Sequence, residues 1–289
     1  MERLGQVRRV LILTLLLNLL VSAAKIAAGY WFRSLGMVAD GFHSLFDASS
    51  NVMGLAGVKM ASKPPDEAHP YGHKKYESFA AMGVGGFLFL TCFEILSGAY
   101  KRLGDKNHTE VTAVAVLVIV LTICVNIFVS WYEARKGREL GSDFLIADSG
   151  HTKSDIFASF AVLAGLAAVK AGYPAADPVA AVVIAALIGR VGFKIVKSAS
   201  GILVDAARIR AEDIVRICMG VPGVLRCHHV RSRGREDEIF MDLRVHVAPG
   251  LPIEEAHKIA HRVEEVIKKN IKNVTDVVVH IEPESKGEN

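Results

Sequence analysis

Six stretches of this chain are long and apolar enough to cross a hydrocarbon core of about 30 Å, and five of them carry ionisable residues inside. They run at 8–32, 35–60, 78–101, 111–133, 148–171 and 178–203. Residues 111–132 are free of charge, whereas the others contain Lys25, Asp40 and Asp47, Glu94, Asp155 or Arg190. A charge at the centre of a bilayer costs about 2.5–3.5 kcal/mol or more, so a simple lipid anchor does without one. The pattern therefore predicts six transmembrane helices that line something polar. Composition agrees, because 51% hydrophobic and 22% charged residues with a mean hydropathy of +0.33 are too apolar for an ordinary soluble domain. The opening apolar run resumes past Lys25 through residues 26–32, which reads as a first span and not as a secretory signal.

Charge divides the chain in two. Residues 1–203 hold 20 basic and 15 acidic side chains, and residues 204–289 hold 14 and 15. A lipid-embedded domain over 1–203 is thus followed by a water-soluble one over 204–289. In the second, helical spacing over 208–221, alternation over 224–233 and 238–248, an amphipathic helix over 252–270 and a last strand over 274–283 give the order α-β-β-α-β, a small α+β domain. Ten Lys and Arg residues flank the spans on the side of the N-terminus, from Arg3, Arg8 and Arg9 to Arg138, against five on the other. Both termini are expected on the cytoplasmic side. The basic excess lies at membrane edges and not on one soluble face, which argues against a nucleic-acid partner. Cys92, Cys124, Cys218 and Cys227 show no C-x-x-C spacing and no disulfide framework.

The most informative motif is H-x-x-x-D, which occurs as His43/Asp47 in the second stretch and His151/Asp155 in the fifth. Residues four apart share a helix face with Cβ atoms about 5–6 Å apart, so each pair can grip one ion. Two such helices offer two imidazoles and two carboxylates, a tetrahedral set with bonds of about 2 Å that suits zinc. A single pair would read as a hydrogen bond between helices. Two identical pairs in separate apolar stretches point to an ion site. Asp66, His69 and His73 fall in a connection that Pro64, Pro65 and Pro70 keep from being helical. Six of the eleven histidines lie in the soluble domain, and period-two alternation turns His246, and likewise His280 with Glu282, away from its core.

Together these features resemble the cation diffusion facilitator family of divalent-metal transporters, over nearly the whole length. The resemblance rests on residues 35–48 (LGMVADGFHSLFDA), 66–77 (DEAHPYGHKKYE) and 151–155 (HTKSD), and on the tail histidines. It implies six spans and a cytoplasmic metallochaperone-like, ferredoxin-like domain. The transport site would be His43, Asp47, His151 and Asp155. Asp66, His69 and His73 would form an accessory loop site. His228, His246, His257, His280 and Glu282 would hold metal at a homodimer interface, with His229 as a neighbouring substitute. The paired His/Asp sets lean toward Zn2+. Fe2+, Co2+, Cd2+ and Mn2+ stay open, because these donors accept several of them.

The expected function is a secondary transporter, not an enzyme, that exports metal from the cytoplasm across the cell inner membrane in exchange for protons. Its partners would be a second copy, the bilayer, metal ions and protons. No G-x-x-x-x-G-K-[ST] loop offers nucleotide energy. The alternative is a membrane metal sensor or scaffold without transport. An intramembrane metallohydrolase fits less well, since H-E-x-x-H is absent.

Overall fold

A computed structural model describes residues 2–31, 38, 41, 42, 44, 45, 47–104, 113–170 and 176–284. The chain divides into two compact units, Met1–Ser200 and Gly201–Asn289. The first is helical and is built from α1 (Glu2–Trp31), α2 (Ser49–Ala61), α3 (Lys75–Gly104), α4 (Ala113–Leu140), α5 (Asp143–Lys170) and most of α6 (Ala176–Leu203). Among the described residues, Arg3–Trp31, Lys75–Tyr100, Val116–Leu140 and Val179–Leu203 have the length and hydropathy of membrane spans. The fifth expected stretch falls in α5, whose 28 residues begin with a polar half carrying Asp143, Asp148, His151, Lys153 and Asp155. The second is described continuously from Asp47 into α2, and Asp40 and His43 lie outside the described residues.

The burial pattern of this unit is that of a lipid solvent. Leu16, Leu20, Phe79, Phe93 and Leu121 are exposed, while Thr14, Asn51, Glu77, Glu133 and Asp148 are buried. In a bilayer apolar side chains lose nothing by facing outward, and polar ones must find partners inside. The helices come close through small residues. A Cβ added at Gly54 would fall 2.2 Å from Phe144 Cε1, and one at Gly137 would fall 2.9 Å from Ile146 Cγ1. Where α1 and α3 begin and α4 turns into α5, Arg3 ties three segments together. Its Nη2 donates to the Gly141 carbonyl at 2.7 Å, its Nη1 donates to Glu77 Oε2 at 3.2 Å, and the Ser142 hydroxyl donates to the other Glu77 oxygen.

The second unit runs α7 (Ala211–Met219), β1 (Arg226–Arg235), β2 (Glu238–Val247), α8 (Ile253–Asn270) and β3 (Val274–Pro283), which is the α-β-β-α-β order expected from the sequence. The sheet order is β1-β2-β3, with β1 antiparallel and β3 parallel to β2. A parallel pair needs a long crossover, and α8 supplies it. Met241, Leu243 and Val245 of β2 face Ile259, Val263 and Ile267 of α8 in one core, joined by Ile214 and Cys218 of α7. The i, i+4, i+8 spacing on α8 and the i, i+2, i+4 spacing on β2 are what let two different periods share that core. The opposite face of β2 is left for polar chemistry.

Overpacking a tight contact costs about 1–3 kcal/mol. Gly54→Ala should therefore lower the Tm of the detergent-solubilised protein, measured by tryptophan fluorescence on heating. Gly86→Ala, where a Cβ meets nothing within 4 Å, should leave it unchanged. Equal values for both variants would mean that α2 and α5 do not pack this closely.

Candidate metal centre

Three groups of ligand-type residues stand apart in the molecule. In the helical unit, His151 and Asp155 lie four residues apart on α5, and Asp47 precedes α2. His151 is 4% exposed, and its Nδ1 is buried with no hydrogen-bond partner among the described residues. A buried imidazole nitrogen left in that state is suited to taking a ligand. The ligand atoms of Asp47, His151 and Asp155 do not gather within 4.8 Å of one another, and His43 is not described. Asp47 and Asp155 each have partners of their own.

The second group is the connection between α2 and α3. The backbone N–H of His69 donates to Asp66 Oδ1 at 2.7 Å, and the imidazole Nδ1 of His69 lies 3.3 Å from the same oxygen. His73 Nε2 stands 3.4 Å from Asp66 Oδ2. His73 is buried, and its Nδ1 lies 3.1 Å from the Pro64 carbonyl. A carbonyl can only accept, so Nδ1 donates to it and Nε2 is the nitrogen that faces Asp66. The His69 backbone N–H, with the two imidazoles, holds the Asp66 carboxyl below its usual range. All three residues expected as the loop site thus converge, within 4.8 Å.

The third group lies on the polar face of the sheet. The register of β1 on β2 shifts between His228 and Arg231, and His229 takes a φ of +51° there. This bulge re-aims the adjacent side chains. His228 Nε2 reaches His246 Nε2 at 2.8 Å although its register partner is Arg244. Glu282 is the register partner of His246 on β3, and its Oε2 lies 3.2 Å from His246 Nε2 and 3.4 Å from His228 Nε2. Three ligand atoms therefore share one point, which a cation with bonds of about 2 Å can occupy after a slight spreading.

His280 stands to one side, 3.4 Å from the other Glu282 oxygen. His257 is outside this group in the single chain. It lies on α8 and pairs with His261, their Nε2 atoms 3.1 Å apart. His246 faces away from the core as its alternation requires, yet it is only 4% exposed because neighbouring ligands cover it.

Two neighbours escaped the sequence pattern. Glu284 Oε2 lies 2.7 Å from His246 Nδ1, within ion-pair distance but without hydrogen-bond geometry. Arg244 Nη1 donates to Glu282 Oε1 at 3.0 Å. Partial burial works against the Glu282 carboxylate, but Arg244 and the three imidazoles outweigh it and hold its pKa below the ordinary value. Partial burial, then His246 and His229, push the His228 imidazole below its ordinary value as well. Both shifts favour the metal-binding forms, a carboxylate and a neutral imidazole.

Comparison with known proteins covers almost the entire chain. The family model for the cation efflux transmembrane domain matches residues 11–204, and that for the cation efflux protein cytoplasmic domain matches 207–284. An uncharacterised transporter of Methanocaldococcus jannaschii is 34% identical over 279 residues, which is 96% of this chain and 98% of that one. The manganese efflux system protein MneS of Bacillus subtilis is 28% identical over 267 residues, 92% and 91% of the two chains. The magnetosome protein MamB of Paramagnetospirillum magneticum is 26% identical over 257 residues, 88% and 87%.

Metal competes with protons for imidazole, whose unperturbed pKa is about 6.5. With the His228 value pushed down, zinc binding by the sheet site should persist at about pH 6.5 and fall off below it. Calorimetric titration of the full chain from pH 7.5 to 5 checks this. His246→Ala should remove that binding event at every pH, and an unchanged isotherm would exclude the site.

Proposed function

The chain belongs to the cation diffusion facilitator family of cation efflux proteins, multi-pass membrane transporters of divalent metals, and from that premise we propose that it is a proton-coupled zinc exporter. In this reading six spans form a transport domain over 1–203, and residues 204–289 form a cytoplasmic metal-binding dimerisation domain. The protein works as a homodimer in the cell inner membrane with both termini in the cytoplasm. The transport site is His43, Asp47, His151 and Asp155. The observation that carries the reading is the buried Nδ1 of His151, which has no hydrogen-bond partner among the described residues and lies one helical turn from Asp155 in the lipid-embedded unit. A group of that kind is costly in a bilayer unless something comes to it.

Zinc reaches the site from the cytoplasm, where imidazole nitrogen and carboxylate oxygen replace its water. The helices then reorient to open the site outward, as in other secondary transporters. Protons taken up on the outer side displace the metal, with His43 and His151 as the main carriers. The loop set of Asp66, His69 and His73 and the sheet set around His228, His246 and Glu282 bind metal on the cytoplasmic side, the latter with His257 and His280 when two copies meet. Identity to a manganese efflux protein supports Mn2+ as a second cargo.

Asp47→Ala and Asp155→Ala each remove an anionic ligand, and each should bring zinc flux in proteoliposomes down to the protein-free background while the protein still elutes as wild type. His43→Asp keeps an oxygen ligand but removes a proton carrier, so it should weaken discrimination among zinc, cadmium and iron and shift the pH profile. An internal pH dye reads the exchange. Wild-type zinc flux without any proton signal between about pH 6 and 8 would exclude antiport. Zinc bound by the tail with no flux in any condition would favour the sensor reading.

A further inference from the structure

The helical unit holds a second cluster of acids that the His/Asp pairs do not use. Glu133 on α4 is fully buried, and Asp148 on α5 is 2% exposed. The Glu133 carboxylate sits beside the Asp148 carboxylate and the Thr14 hydroxyl. Asp148 is held from the far side, since the Ser50 hydroxyl donates to Oδ1 at 2.9 Å and the Asn51 amide donates to Oδ2 at 2.8 Å. Asn51 also donates to Thr14 at 3.3 Å, and its own carbonyl accepts from Asn18 at 3.0 Å. That chain of donors fixes which end of Asn51 faces the acid. Hydrogen bonds to both Asp148 oxygens are how a carboxylate is held.

Glu133 is different. The Thr14 hydroxyl and the Asp148 carboxyl approach it, but the Thr14 hydroxyl donates to the Leu11 carbonyl at 3.3 Å, and neither Glu133 oxygen makes a well-formed hydrogen bond to any described residue. Buried carboxylate oxygens ordinarily find donors or a cation, because an uncompensated charge in a low-dielectric interior is expensive. The charged group acting on Glu133 is Asp148, which repels it. A divalent cation would satisfy both acids together, whereas one shared proton would leave a net negative charge in the bilayer.

We propose that Glu133, Asp148 and Thr14 form an all-oxygen site for a hard divalent cation, a waypoint on the cytoplasmic side of the His/Asp transport site. Carboxylate and hydroxyl oxygens favour Mn2+ and Mg2+ over softer ions. The placement comes from the helices themselves. Asp148 precedes His151 by three residues on α5, and Asn51 follows Asp47 by four. Each step is about one helical pitch of 5.4 Å. Both lead toward the connections 62–74 and 141–142, the cytoplasmic side by charge bias. Its role as a waypoint rests on the transport reading, whereas cation binding at the site does not.

The test uses the full chain in lipid nanodiscs and Mn2+ alone as the probe, with free Mn2+ followed by electron paramagnetic resonance. Wild type should bind one more Mn2+ per chain than Glu133→Gln or Asp148→Asn. Asp155→Ala should keep that ion, and Asp155→Ala/Glu133→Gln should lose it. Equal stoichiometry in wild type and both single variants, with unchanged elution, would overturn the site. Infrared spectra of wild type and Glu133→Gln give a check that does not count bound ions. A protonated-carboxyl band insensitive to saturating Mn2+, and lost in Glu133→Gln, would assign a proton there instead and overturn the proposal. Zinc flux is read separately on the same preparations. If Glu133→Gln loses the ion but moves zinc at the wild-type rate, the waypoint role fails and the site stands. If wild type binds the ion and moves no metal, it is the transport reading that fails.

Discussion

The structure depends on how a lipid-embedded bundle handles charge. Water cannot satisfy an ionisable group inside it, so each must be met by protein, and that requirement sets how closely the helices approach. Glu77 is met by Arg3 and Ser142, Asp148 by Ser50 and Asn51, and Lys25 by Ser44 at 2.8 Å. Such contacts between neighbouring helices need backbones that come near one another, and Gly54 and Gly137 allow it where α2 and α4 meet α5. Against this background Glu133 and His151 are informative, because both carry buried polar atoms that no protein group satisfies among the described residues. Among the described residues of this unit these two are the ones with buried, unsatisfied side-chain atoms, and they lie on α4 and α5.

The soluble unit solves the opposite problem. Water surrounds it, and ligands must be kept converged without a cation to hold them. Strand register does this at long range, since pairing β2 with β3 sets Glu282 opposite His246. The bulge at His229 then swings His228 across to meet them. Arg244 occupies the Oε1 side of Glu282, which leaves Oε2 facing His228 and His246. In the loop, the Pro64 carbonyl fixes the His73 tautomer without any metal. Both sets are preorganised by their own backbone, which reduces the ordering that binding would otherwise require.

Legibility from sequence followed the range of each interaction. The α-β-β-α-β order and the alternation of β2 were readable because periods of 3.6 and 2 are local. H-x-x-x-D was readable because one helix turn brings its ends together. Asp66, His69 and His73 were grouped by the family resemblance, since their proline-broken connection read alone is a solvated turn, and the fold brings them within 4.8 Å. Asp148 with Asn51, 97 residues apart, leaves no local signature, and neither does the approach of Glu133 on α4 to Asp148 on α5. Glu284 was missed for the same reason, since it meets His246 across the sheet from beyond the end of β3. His257 was implied by the resemblance for an interface between two copies, which a single chain does not contain. Only the fold shows it paired with His261 on α8.

Donor chemistry gives the proposed oxygen site a consequence for selection. Oxygen donors and imidazole donors rank divalent ions differently. An ion leaving water for two carboxylates and a hydroxyl exchanges oxygen for oxygen, so this step discriminates mainly by size and charge and excludes monovalent ions that cannot neutralise both acids. An ion then moving one turn further to His151 and Asp155 gives up oxygen for nitrogen, which favours zinc over manganese or magnesium. On the proposed route, selectivity for zinc would lie at the deeper set, beyond a first set that admits hard divalent ions as well. Changing the deeper imidazoles should alter which metal is moved, whereas changing Glu133 should alter how readily any divalent ion arrives.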